Sequence, residues 1–566
     1  MIWEFKEKAN SEISQNLQDT LKIDSVLAGL MVQRGLTTFD KAKAFFNPDL
    51  ADLHDPFLMK DMDLAVARIL KALEQGEKVM VFGDYDVDGT TSVALMSSYL
   101  ETLDLEIVNY IPDRYKEGYG ISNKGIETAA AQQISLIVAL DCGIKSIDHI
   151  AYAKELGVDF IICDHHRPGA EIPDAVAVLD PKRKDCEYPY EELSGCGVGF
   201  KLIQALQQTL ELDFDDLVTY LDLCAISIGA DIVDVTGENR ILAHHGMALL
   251  NREARPGIQA LMDQNDKEQY SLTDVIFTIG PKINASGRME HGLYAVELLL
   301  EQDPQIAKQK AEAIQNFNEE RKEADQRISK EALEQIIAQN EQEASATVVY
   351  DESWHKGVIG IVASRLIDTY YRPTLVFTKS GDVLAASARS VKGFDVYKAI
   401  EACSELLEQF GGHMYAAGMT LKEENYPAFK KKFLSVVEAQ HKEEDKIKEI
   451  SIDQELPFKY IDDKFYRILR RMEPFGPGNE LPVFCTRNLW ETGYARLLGS
   501  DECHLKLNLQ DLEEDKTYQA IGFGLGDSFD LVKDSSKVDV VYHLSQNNFR
   551  GNVNFQLMLQ DIKATS

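Results

Sequence analysis

Three aspartates at alternate positions follow a short apolar run near residue 80. The run Val-Met-Val-Phe-Gly ends at Gly83, and Asp84, Asp86 and Asp88 follow it, with Gly89 and two threonines next. Carboxylates this close together repel one another unless a cation neutralises them. The alternative is a helix N-cap in a solvated turn. An EF-hand loop fits poorly, because the glycine comes too early and no glutamate stands at the twelfth position.

Further acidic and imidazole groups end later apolar runs that we interpret as strands. Leu-Ile-Val-Ala-Leu is followed by Asp141, Asp-Phe-Ile-Ile-Cys by Asp164, His165 and His166, and Ala-Ile-Ser-Ile-Gly-Ala by Asp231. Mixed carboxylate and imidazole ligands suit Mn²⁺ or Mg²⁺ better than structural zinc, which favours thiolates. Because the aspartates suffice for two ions, the pattern predicts a two-metal hydrolase that cleaves phosphoester or phosphoanhydride bonds.

The elements that carry these groups follow a recognisable order. From about residue 78, apolar runs alternate with longer helical patterns, which is typical of βαβ units around a parallel sheet. In such sheets ligands bind beyond the carboxyl ends of the strands, where the acidic groups fall. Apolar residues at three- and four-residue steps, interrupted by Arg321, predict one long connecting helix at 308–343. A second α/β unit extends to about residue 440, and short strands beyond it indicate a small β-barrel.

The composition limits what the chain can bind. Its 566 residues, 45% hydrophobic and 27% charged, are typical of a globular protein with several domains. Lys and Arg total 59 against 93 Asp and Glu, a net charge of -34. A general attraction to nucleic acid or anionic lipid is thereby excluded, so a polyanion must meet a local basic patch or metal ions. Eight cysteines without a CxxC pair, and the lack of an export signal or long apolar stretch, predict a soluble cytoplasmic protein with reduced thiols.

Several motifs together resemble one known family, the RecJ-type single-strand exonucleases of the DHH phosphoesterase superfamily. The strongest are GDYDVDGTT, LDCG, the DHH triplet and GAD. Others extend the resemblance over nearly the whole chain, namely PDRYKEGYGIS, SGCGVGFKL, NASGRM, GVIGIVASRL, FGGH and EPFGPGN. The resemblance implies an α/β fold in which a parallel-sheet DHH domain is joined by a long helix to a DHHA1-type α/β domain, followed by an OB-like β-barrel. The expected bounds are 1–55 for an N-terminal segment, 56–307 for the DHH domain, 308–343 for the connecting helix, 344–440 for the DHHA1-type domain and 441–566 for the barrel.

The same resemblance implies roles for the acidic and histidine cluster. Two divalent ions, Mn²⁺ or Mg²⁺, would be held by Asp86, Asp88, Asp141, His165 and Asp231. Asp141 would bridge the ions, and Asp84 would bind an ion or support a ligand. His166 would face the scissile phosphate, so that Asp84, Asp141 and His166 form the expected catalytic group.

Two segments predict phosphate donors in an acidic context. Arg288 ends Asn-Ala-Ser-Gly-Arg, which we expect to be a turn whose N–H groups and guanidinium hold a phosphate. Ser387 and Arg389 follow a strand, and Ala388 stands where relatives of this type usually have glycine. If the turn there requires a positive φ, alanine is disfavoured and the placement of Arg389 changes.

Other candidate substrate contacts lie at the ends of further elements. Arg114 and Tyr119 follow another strand and could contact a nucleotide by charge and by stacking. Gly411, Gly412 and His413 follow an expected helix that ends at Phe410, so the two glycines could equally be a C-cap. The resemblance places this run opposite the substrate.

The leading hypothesis from these observations is an enzyme that degrades single-stranded DNA from its 5′ end to 5′-mononucleotides in DNA repair and recombination. The alternatives are a DHH-family oligonucleotide phosphodiesterase or pyrophosphatase, and a catalytically inactive replication scaffold. Retention of Asp or His at every metal position argues against the scaffold. The resemblance further suggests a monomer whose partners are single-stranded DNA, a single-strand-binding protein and a RecQ-type helicase, with no membrane association.

Overall fold

The computed structural model describes residues 1–265, 267–499, 501–533, 537–549 and 552–565. A five-stranded parallel sheet forms the centre of the first half of the chain. Its strands, in spatial order, are Ile107–Tyr110, Val79–Gly83, Leu136–Leu140, Asp159–Cys163 and Ala177–Leu179. Val79–Gly83 and Leu136–Leu140 are buried along their whole length, since helices cover both faces. The parallel sheet expected from the alternating pattern is thereby confirmed.

Helices cover this sheet and extend beyond it. Those around the sheet are Met62–Gln75, Val87–Thr102, Asn123–Ala131 and Ile147–Glu155. A second group is Gly195–Thr209, Leu221–Ala230, Gly237–Glu253, Pro256–Met262, Leu272–Asp274, Gly280–Met289 and Leu293–Leu300, with a π-helical turn at Val275–Ile279.

The interpretation of the run before Asp231 as a strand is wrong, because it belongs to the helix Leu221–Ala230. Residues 221–229 of that helix are all buried. An apolar run buried on all sides has no periodicity that separates a helix from a strand. Asp231 therefore caps the carboxyl end of a buried helix.

The connecting helix spans Pro304–Ala338, a few residues earlier than the pattern predicts. It begins there because Asp303 caps it, accepting from the N–H groups of Gln305 and Ile306. Proline at the first helical position favours the same start. At about 1.5 Å per residue this helix is roughly 50 Å long.

A mixed five-stranded sheet follows the connecting helix. In spatial order its strands are Gln409–His413, Ala416–Leu421, Val383–Arg389, Thr374–Ser380 and Thr347–Tyr350. The associated helices are Ile359–Thr369, Val396–Glu401 and Tyr426–Gln440. The helix expected to end at Phe410 stops at Glu401, because Gln409–His413 pairs antiparallel with Ala416–Leu421 instead.

The C-terminal region forms a seven-stranded sheet that closes on itself. Its strands are Gln454–Glu455, Phe484–Glu491, Arg496–Leu498, His504–Asp511, Lys516–Gly522, Lys537–Phe549 and Asn552–Ala564, with a helix at Asp463–Arg470 and a short helix at Phe529–Val532. Trp490 and Glu491 also pair with Gln510 and Leu509, which completes the ring. The barrel expected from the short strands is confirmed.

The first residues of the chain pack against this barrel. Ile2–Phe5 pairs in parallel with Glu449–Ile452, and the helices Ser11–Leu21, Ser25–Gln33 and Phe39–Phe46 follow. Val26, Leu27 and Leu30 share one hydrophobic core with barrel residues such as Phe484. Over the part of the chain that is described, no helix combines the length and hydrophobicity needed to cross a membrane.

Candidate metal centre and nucleic-acid interface

Four aspartates lie level with one another at the carboxyl edge of the parallel sheet. Gly83 pairs with Leu140, Leu140 with Cys163, and Cys163 with Leu179. The next residues along the four strands are Asp84, Asp141, Asp164 and Asp180. All four are almost completely buried. The strand register itself therefore builds a concentrated acidic site.

Asp86 and Asp88 reach this edge from the start of the helix Val87–Thr102. Asp86 caps the helix and accepts a hydrogen bond from the Gly89 N–H at 3.1 Å. Asp88 accepts from the N–H groups of Gly195 and Cys196, at 2.7 and 2.8 Å. These N–H groups open the helix Gly195–Thr209, whose N-terminal dipole favours a carboxylate.

The helix Gly195–Thr209 approaches Asp141 so closely that position 195 must be glycine. A Cβ atom on Gly195 would lie 2.6 Å from the Asp141 Cβ. Ser227 adds a third donor to Asp88, at 2.6 Å, and its Oγ also lies 2.7 Å from Ser194 Oγ. The SGCG motif thus fixes Asp88 beside Asp141.

The imidazole of His165 lies close to three carboxylates of the cluster. Its Nε2 lies 3.2 Å from Asp141 Oδ1, 3.4 Å from Asp231 Oδ2 and 3.6 Å from Asp88 Oδ2. Ligand atoms of Asp88, His165 and Asp231, and separately of Asp141, His165 and His166, lie within 4.8 Å of one another. Burial lowers the pKa of His165, which favours the neutral imidazole that binds metals.

Several atoms of the cluster are buried without an aligned hydrogen bond. These are both carboxylate oxygens of Asp84, Oδ1 of Asp141, and both ring nitrogens of His165, whose Nε2 is near Asp141 Oδ1 but not aligned with it. Burial, and then the charge of Asp86, raises the pKa of Asp84 well above its usual range. Burial, and then Asp88, does the same for Asp141. Because unpartnered buried acceptors are costly, the residues fit divalent cations, which would satisfy them and neutralise their charge.

Asp141 has an unusual backbone conformation for a residue other than glycine. Its φ is +59°, in the left-handed region that Asp tolerates better than most residues. Its N–H donates to Cys163 O at 2.8 Å, and its carbonyl accepts from the Tyr119 hydroxyl at 3.2 Å. The turn therefore points the carboxylate into the cluster while the backbone remains hydrogen-bonded.

His166 is oriented by Asp164 at the rim of the cluster. Its Nδ1 lies 2.8 Å from Asp164 Oδ1, and its Nε2 lies 3.1 Å from the Tyr119 hydroxyl. Burial lowers the pKa of His166, but the hydrogen bond and charge of Asp164 outweigh it and raise that pKa to about 9. Burial opposes ionisation of Asp164, but the hydrogen bond from His166 lowers its pKa below the usual range. The half-exposed His166 is thus held as a donor facing the open side.

Arg288 lies near the C-terminal end of the helix Gly280–Met289, so the prediction that it lies in a loop turn is wrong. Gly287 allows this helix to pack closely, since a Cβ there would lie 2.5 Å from Tyr85 O. Helical hydrogen bonding uses the N–H groups of this segment, so the guanidinium carries any contact with phosphate. Its Nη1 donates to Gly357 O at 3.0 Å.

Arg114, Arg321 and Arg389 lie close enough to Arg288 for their charges to act on it, and Arg114 also acts on Asp84 and Asp86 of the acidic cluster. Burial, followed by the charges of the other three, lowers the pKa of Arg288 to about 10. The Arg114 guanidinium lies 4.6 Å from the Tyr85 ring centroid. None of the four forms an ion pair within the residues that the structure describes. We name these residues the arginine group.

Ser387 and Arg389 lie within the strand Val383–Arg389, not after it. Ala388 is a buried strand residue whose φ is not positive, so no glycine is required at that position. A Cβ on Gly360 would lie 2.9 Å from Ser387 Oγ and 3.0 Å from Arg389 Nη2. Both side chains therefore reach the N-terminal end of the helix Ile359–Thr369, where backbone N–H groups favour anions.

The Gly411–His413 run is part of an edge strand, not the end of a helix. Its register pairs Gly411 with Gly418 and His413 with Ala416. On the next strand Gly418 pairs with Ser387 and Ala416 with Arg389, so one strand separates the run from that pair. A Cβ on Gly411 would meet no atom within 4 Å, whereas one on Gly412 (φ +144°) would lie 2.4 Å from Ala416 O. The structure thus brings this run and the Ser387–Arg389 pair onto one sheet.

Three residues of the site have no role assigned to them from the sequence, although Asp164 is named there at its strand end. Asp164 is the first residue of the DHH triplet, and Asp180 follows the edge strand Ala177–Leu179, so both carry the signal of an acid at a strand end. Burial raises the pKa of Asp180 to about 7. The sequence does not indicate a role for Arg321, because a single arginine in a helical pattern only interrupts the row of apolar residues.

Comparison with protein families finds three models in succession along the chain. The DHH family N-terminal domain matches residues 78–228, the DHHA1 domain matches 342–439, and the RecJ OB domain matches 452–561. The first contains most of the acidic cluster, and the second contains Ser387, Arg389 and the Gly411–His413 run.

Curated relatives and solved structures agree with these matches. Single-stranded-DNA-specific exonuclease RecJ of Bacillus subtilis is 35% identical over 99% of this chain and 70% of its own length. The protein of the same name from Salmonella typhimurium is 33% identical over 89% of this chain and 90% of its own. The crystal structure of RecJ in complex with Mn²⁺ from Thermus thermophilus aligns with a TM-score of 0.85 at 27% identity, covering 100% of this chain and 80% of that one. A Mg²⁺ complex of RecJ from Thermus thermophilus aligns with a TM-score of 0.79 at 26% identity, covering 100% of this chain and 79% of that one.

Proposed function

Because this chain belongs to the RecJ family of single-stranded-DNA-specific exonucleases, we propose that it degrades single-stranded DNA from the 5′ end, releasing 5′-mononucleotides by two-metal-ion hydrolysis. It is a phosphodiester hydrolase that uses Mn²⁺ or Mg²⁺. The observation that carries the proposal is the juxtaposition of unpartnered buried carboxylates with unpaired guanidinium groups. The carboxylates lack the positive charge that metal ions would supply, and the guanidinium groups lack the negative charge that phosphates would supply.

In this proposal Asp86, Asp88, Asp141, His165 and Asp231 would hold the ions. When bound, two divalent ions lower the pKa of water and offset the charge of a phosphate during in-line displacement. The protein's contribution is to keep the ligands in place before substrate arrives. Gly195, Cys196 and Ser227 hold Asp88, and the left-handed turn holds Asp141.

His166 is proposed to donate a hydrogen bond to an oxygen of the scissile phosphate. Asp164 accepts from Nδ1, so the remaining ring nitrogen, Nε2, faces the substrate side together with the Tyr119 hydroxyl. A donor at this position stabilises charge that grows on the phosphate during attack. Asp164 thereby fixes the orientation of His166 without contacting the DNA.

Recognition of the terminal nucleotide is proposed to determine that digestion starts at the 5′ end. A terminal phosphate carries about −1.5 to −2 charges near neutral pH, more than an internal diester, and so gains most from clustered guanidiniums. Arg114, Ser387 and Arg389 would bind this 5′-phosphate, next to the helix Ile359–Thr369. The neighbouring diester would then lie at the acidic cluster, and cleavage would release a 5′-mononucleotide. Arg288 would contact the backbone between the two.

The remaining candidates are assigned along the same path. Tyr119, which is 54% exposed, would stack on the terminal base. Gly411, Gly412 and His413 would line the opposite side on the second sheet. We further propose domain bounds of 56–307, 344–440 and 441–566 after an N-terminal segment, with the helix Pro304–Ala338 joining the first two of these domains. We also propose a cytoplasmic monomer whose partners in DNA repair and recombination are a single-strand-binding protein and a RecQ-type helicase.

The test is digestion of single strands labelled at the 5′ or the 3′ end, with matched duplexes, in Mn²⁺ or in Mg²⁺. We expect early release of labelled mononucleotide from the 5′-labelled strand only, and little product from blunt duplex. Strands with a 5′-phosphate should be cut faster than those with a 5′-hydroxyl, and Arg389→Gln should reduce that difference. Early release of the 3′ label would refute the polarity, and equal cutting of both 5′ ends would refute the terminal phosphate site.

A further inference from the structure

A loop of the C-terminal barrel packs directly against the segment that follows Asp231. We name residues 473–479 the clasp loop and residues 231–236 the Asp231 segment. The Val235 N–H donates to Pro477 O at 2.7 Å. A Cβ on Gly476 would lie 2.4 Å from Val235 Cγ2, and one on Gly478 would lie 2.9 Å from Thr236 Cγ2. Glycine at both positions is what lets the two backbones meet.

Arg240 anchors the clasp loop to the catalytic half of the molecule. It lies in the helix that follows the Asp231 segment and is 5% exposed. Its guanidinium donates to Met472 O at 2.9 Å, to Glu473 O at 3.0 Å and to Phe45 O at 3.1 Å. One buried side chain thus joins the catalytic region, the barrel and the N-terminal helices.

Asn479 closes the clasp loop on itself. Its Nδ2 donates to Met472 O and Pro474 O, both at 2.9 Å, and its Oδ1 accepts from Arg34 Nε at 3.0 Å. The side chain is 1% exposed. The shape of the loop is therefore determined by its own amide and by an N-terminal helix.

The Asp231 segment is held from the other side as well. Asp234 O accepts from Asn239 Nδ2 at 2.9 Å and from the Tyr190 hydroxyl at 3.1 Å. Between these anchors and Asp231 lies Ile232, whose φ of +59° is strained for a β-branched residue. Strain of this kind persists only where the surrounding structure holds the backbone.

From these contacts we propose that the clasp loop is a positioning element for Asp231, so that the barrel controls metal binding and turnover in addition to any contact with DNA. The inference rests on the proposed role of Asp231 as a metal ligand. Arg240 and Asn479 would act as positioning residues, because neither contacts the acidic cluster. If the loop shifted, the Asp231 segment could relax at Ile232 and move the carboxylate away from His165.

The test uses the full chain with Arg240→Gln and Asn479→Ala, and with Arg372→Gln as the matched control. Arg372 is also a buried arginine that donates to backbone carbonyls, those of Gln342, Ala344 and Glu341, but it lies in the second α/β domain. Calorimetric titration with Mn²⁺ alone, without DNA, measures the site itself. Steady-state digestion of a single strand separates kcat from KM.

We expect both clasp variants to bind Mn²⁺ about tenfold or more weakly, as when a residue that supports a ligand is lost. Their kcat should fall at ordinary Mn²⁺ and recover at high Mn²⁺, with KM for DNA little changed. The Arg372→Gln protein should lose stability but keep its Mn²⁺ affinity and kcat. Asn479→Ala decides the outcome if Arg240→Gln does not fold.

Unchanged Mn²⁺ affinity and kcat in the folded clasp variants would overturn the inference, as would an equal loss in Arg372→Gln. Asp231→Asn separates this result from the proposed function. If that change also leaves Mn²⁺ affinity intact, the assignment of Asp231 as a ligand fails. If it weakens Mn²⁺ binding while the clasp variants do not, only the positioning role fails.

Discussion

Replacing Asp141 with asparagine should stabilise the metal-free protein and abolish hydrolysis. Without metal, Asp141 Oδ1 is buried and has no aligned hydrogen bond. Burial, and then the charges of Asp88 and Asp86, raises the pKa of this carboxyl well above its usual range. Asparagine has nearly the same shape, removes the charge and tolerates the left-handed backbone at φ +59°.

The size of the effect follows from the burial of an unpaired acceptor. Such a group costs about 1–3 kcal/mol, and more when it is charged. We therefore expect the free energy of unfolding of the metal-free Asp141→Asn protein to rise by about 1–3 kcal/mol. Asp141→Ala is the matched control, because it removes the same charge but places alanine in a conformation that costs about 1–2 kcal/mol. It should be less stable than the asparagine variant and equally inactive.

Differential scanning calorimetry in EDTA measures this prediction. A gain of about 1 kcal/mol should raise the melting temperature of a domain of this size by roughly 2–4 °C. Because the pKa of Asp141 is raised in the folded state, folding takes up protons, and wild-type stability falls as pH rises above the unfolded value of 3.8. The advantage of Asp141→Asn should therefore be largest near neutral pH and shrink toward acid pH. With Mn²⁺ the order should reverse, because only the wild type gains the full stability from binding.

Two results would refute this reasoning. A lower melting temperature for Asp141→Asn than for wild type in EDTA would show that repulsion within the cluster does not govern the stability of the metal-free protein. Hydrolysis by the asparagine variant at more than a few per cent of the wild-type rate would show that Asp141 does not bridge the ions.

Three further predictions concern the ions, His166 and the arginine group. Exhaustive chelation should abolish activity and Mn²⁺ should restore it, so activity that survives chelation would contradict a metal-dependent mechanism. His166→Ala should lower kcat by roughly 10²–10³-fold and leave Mn²⁺ stoichiometry in calorimetry unchanged, whereas loss of one ion would make His166 a ligand. Arg288→Ala should weaken binding of a single strand to the Asp141→Asn protein in Ca²⁺ and reduce the slope of log affinity against log salt by about one. Arg288→Lys, which keeps the charge, should preserve most of that slope in the same filter-binding assay.

Much of the acidic cluster was predictable because strand register assembles Asp84, Asp141 and the Asp164–His166 triplet. Each follows a short apolar run that alternates with helical patterns, and parallel strands bring their carboxyl ends together. Asp231 also lies in the cluster although its element is a helix. An aspartate that ends its element carries the same signal in the sequence whether that element is a helix or a strand.

The residues of the second α/β domain were harder to place, since local patterns there are overridden by sheet pairing. Helical periodicity up to Phe410 favours a long helix, yet Gln409–His413 pairs instead along one side with Ala416–Leu421 as an edge strand. Alanine at position 388, where relatives of this type usually have glycine, suggests an altered turn, but the backbone there is an ordinary strand. Arg321 could not be found at all, because its partners lie more than 30 residues away in sequence.

The charge distribution explains how an acidic protein can select one form of DNA. With a net charge of -34, most of the surface repels a polyanion at long range. The arginine group is nevertheless left without carboxylate partners among the residues described, and burial and mutual repulsion lower the pKa of Arg288. Guanidiniums held in this way gain most from a phosphate that reaches them in a partly desolvated site, where screening is weak. The net charge repels a duplex and a single strand alike, so the local attraction of the arginine group favours the form of DNA whose flexible end can reach it.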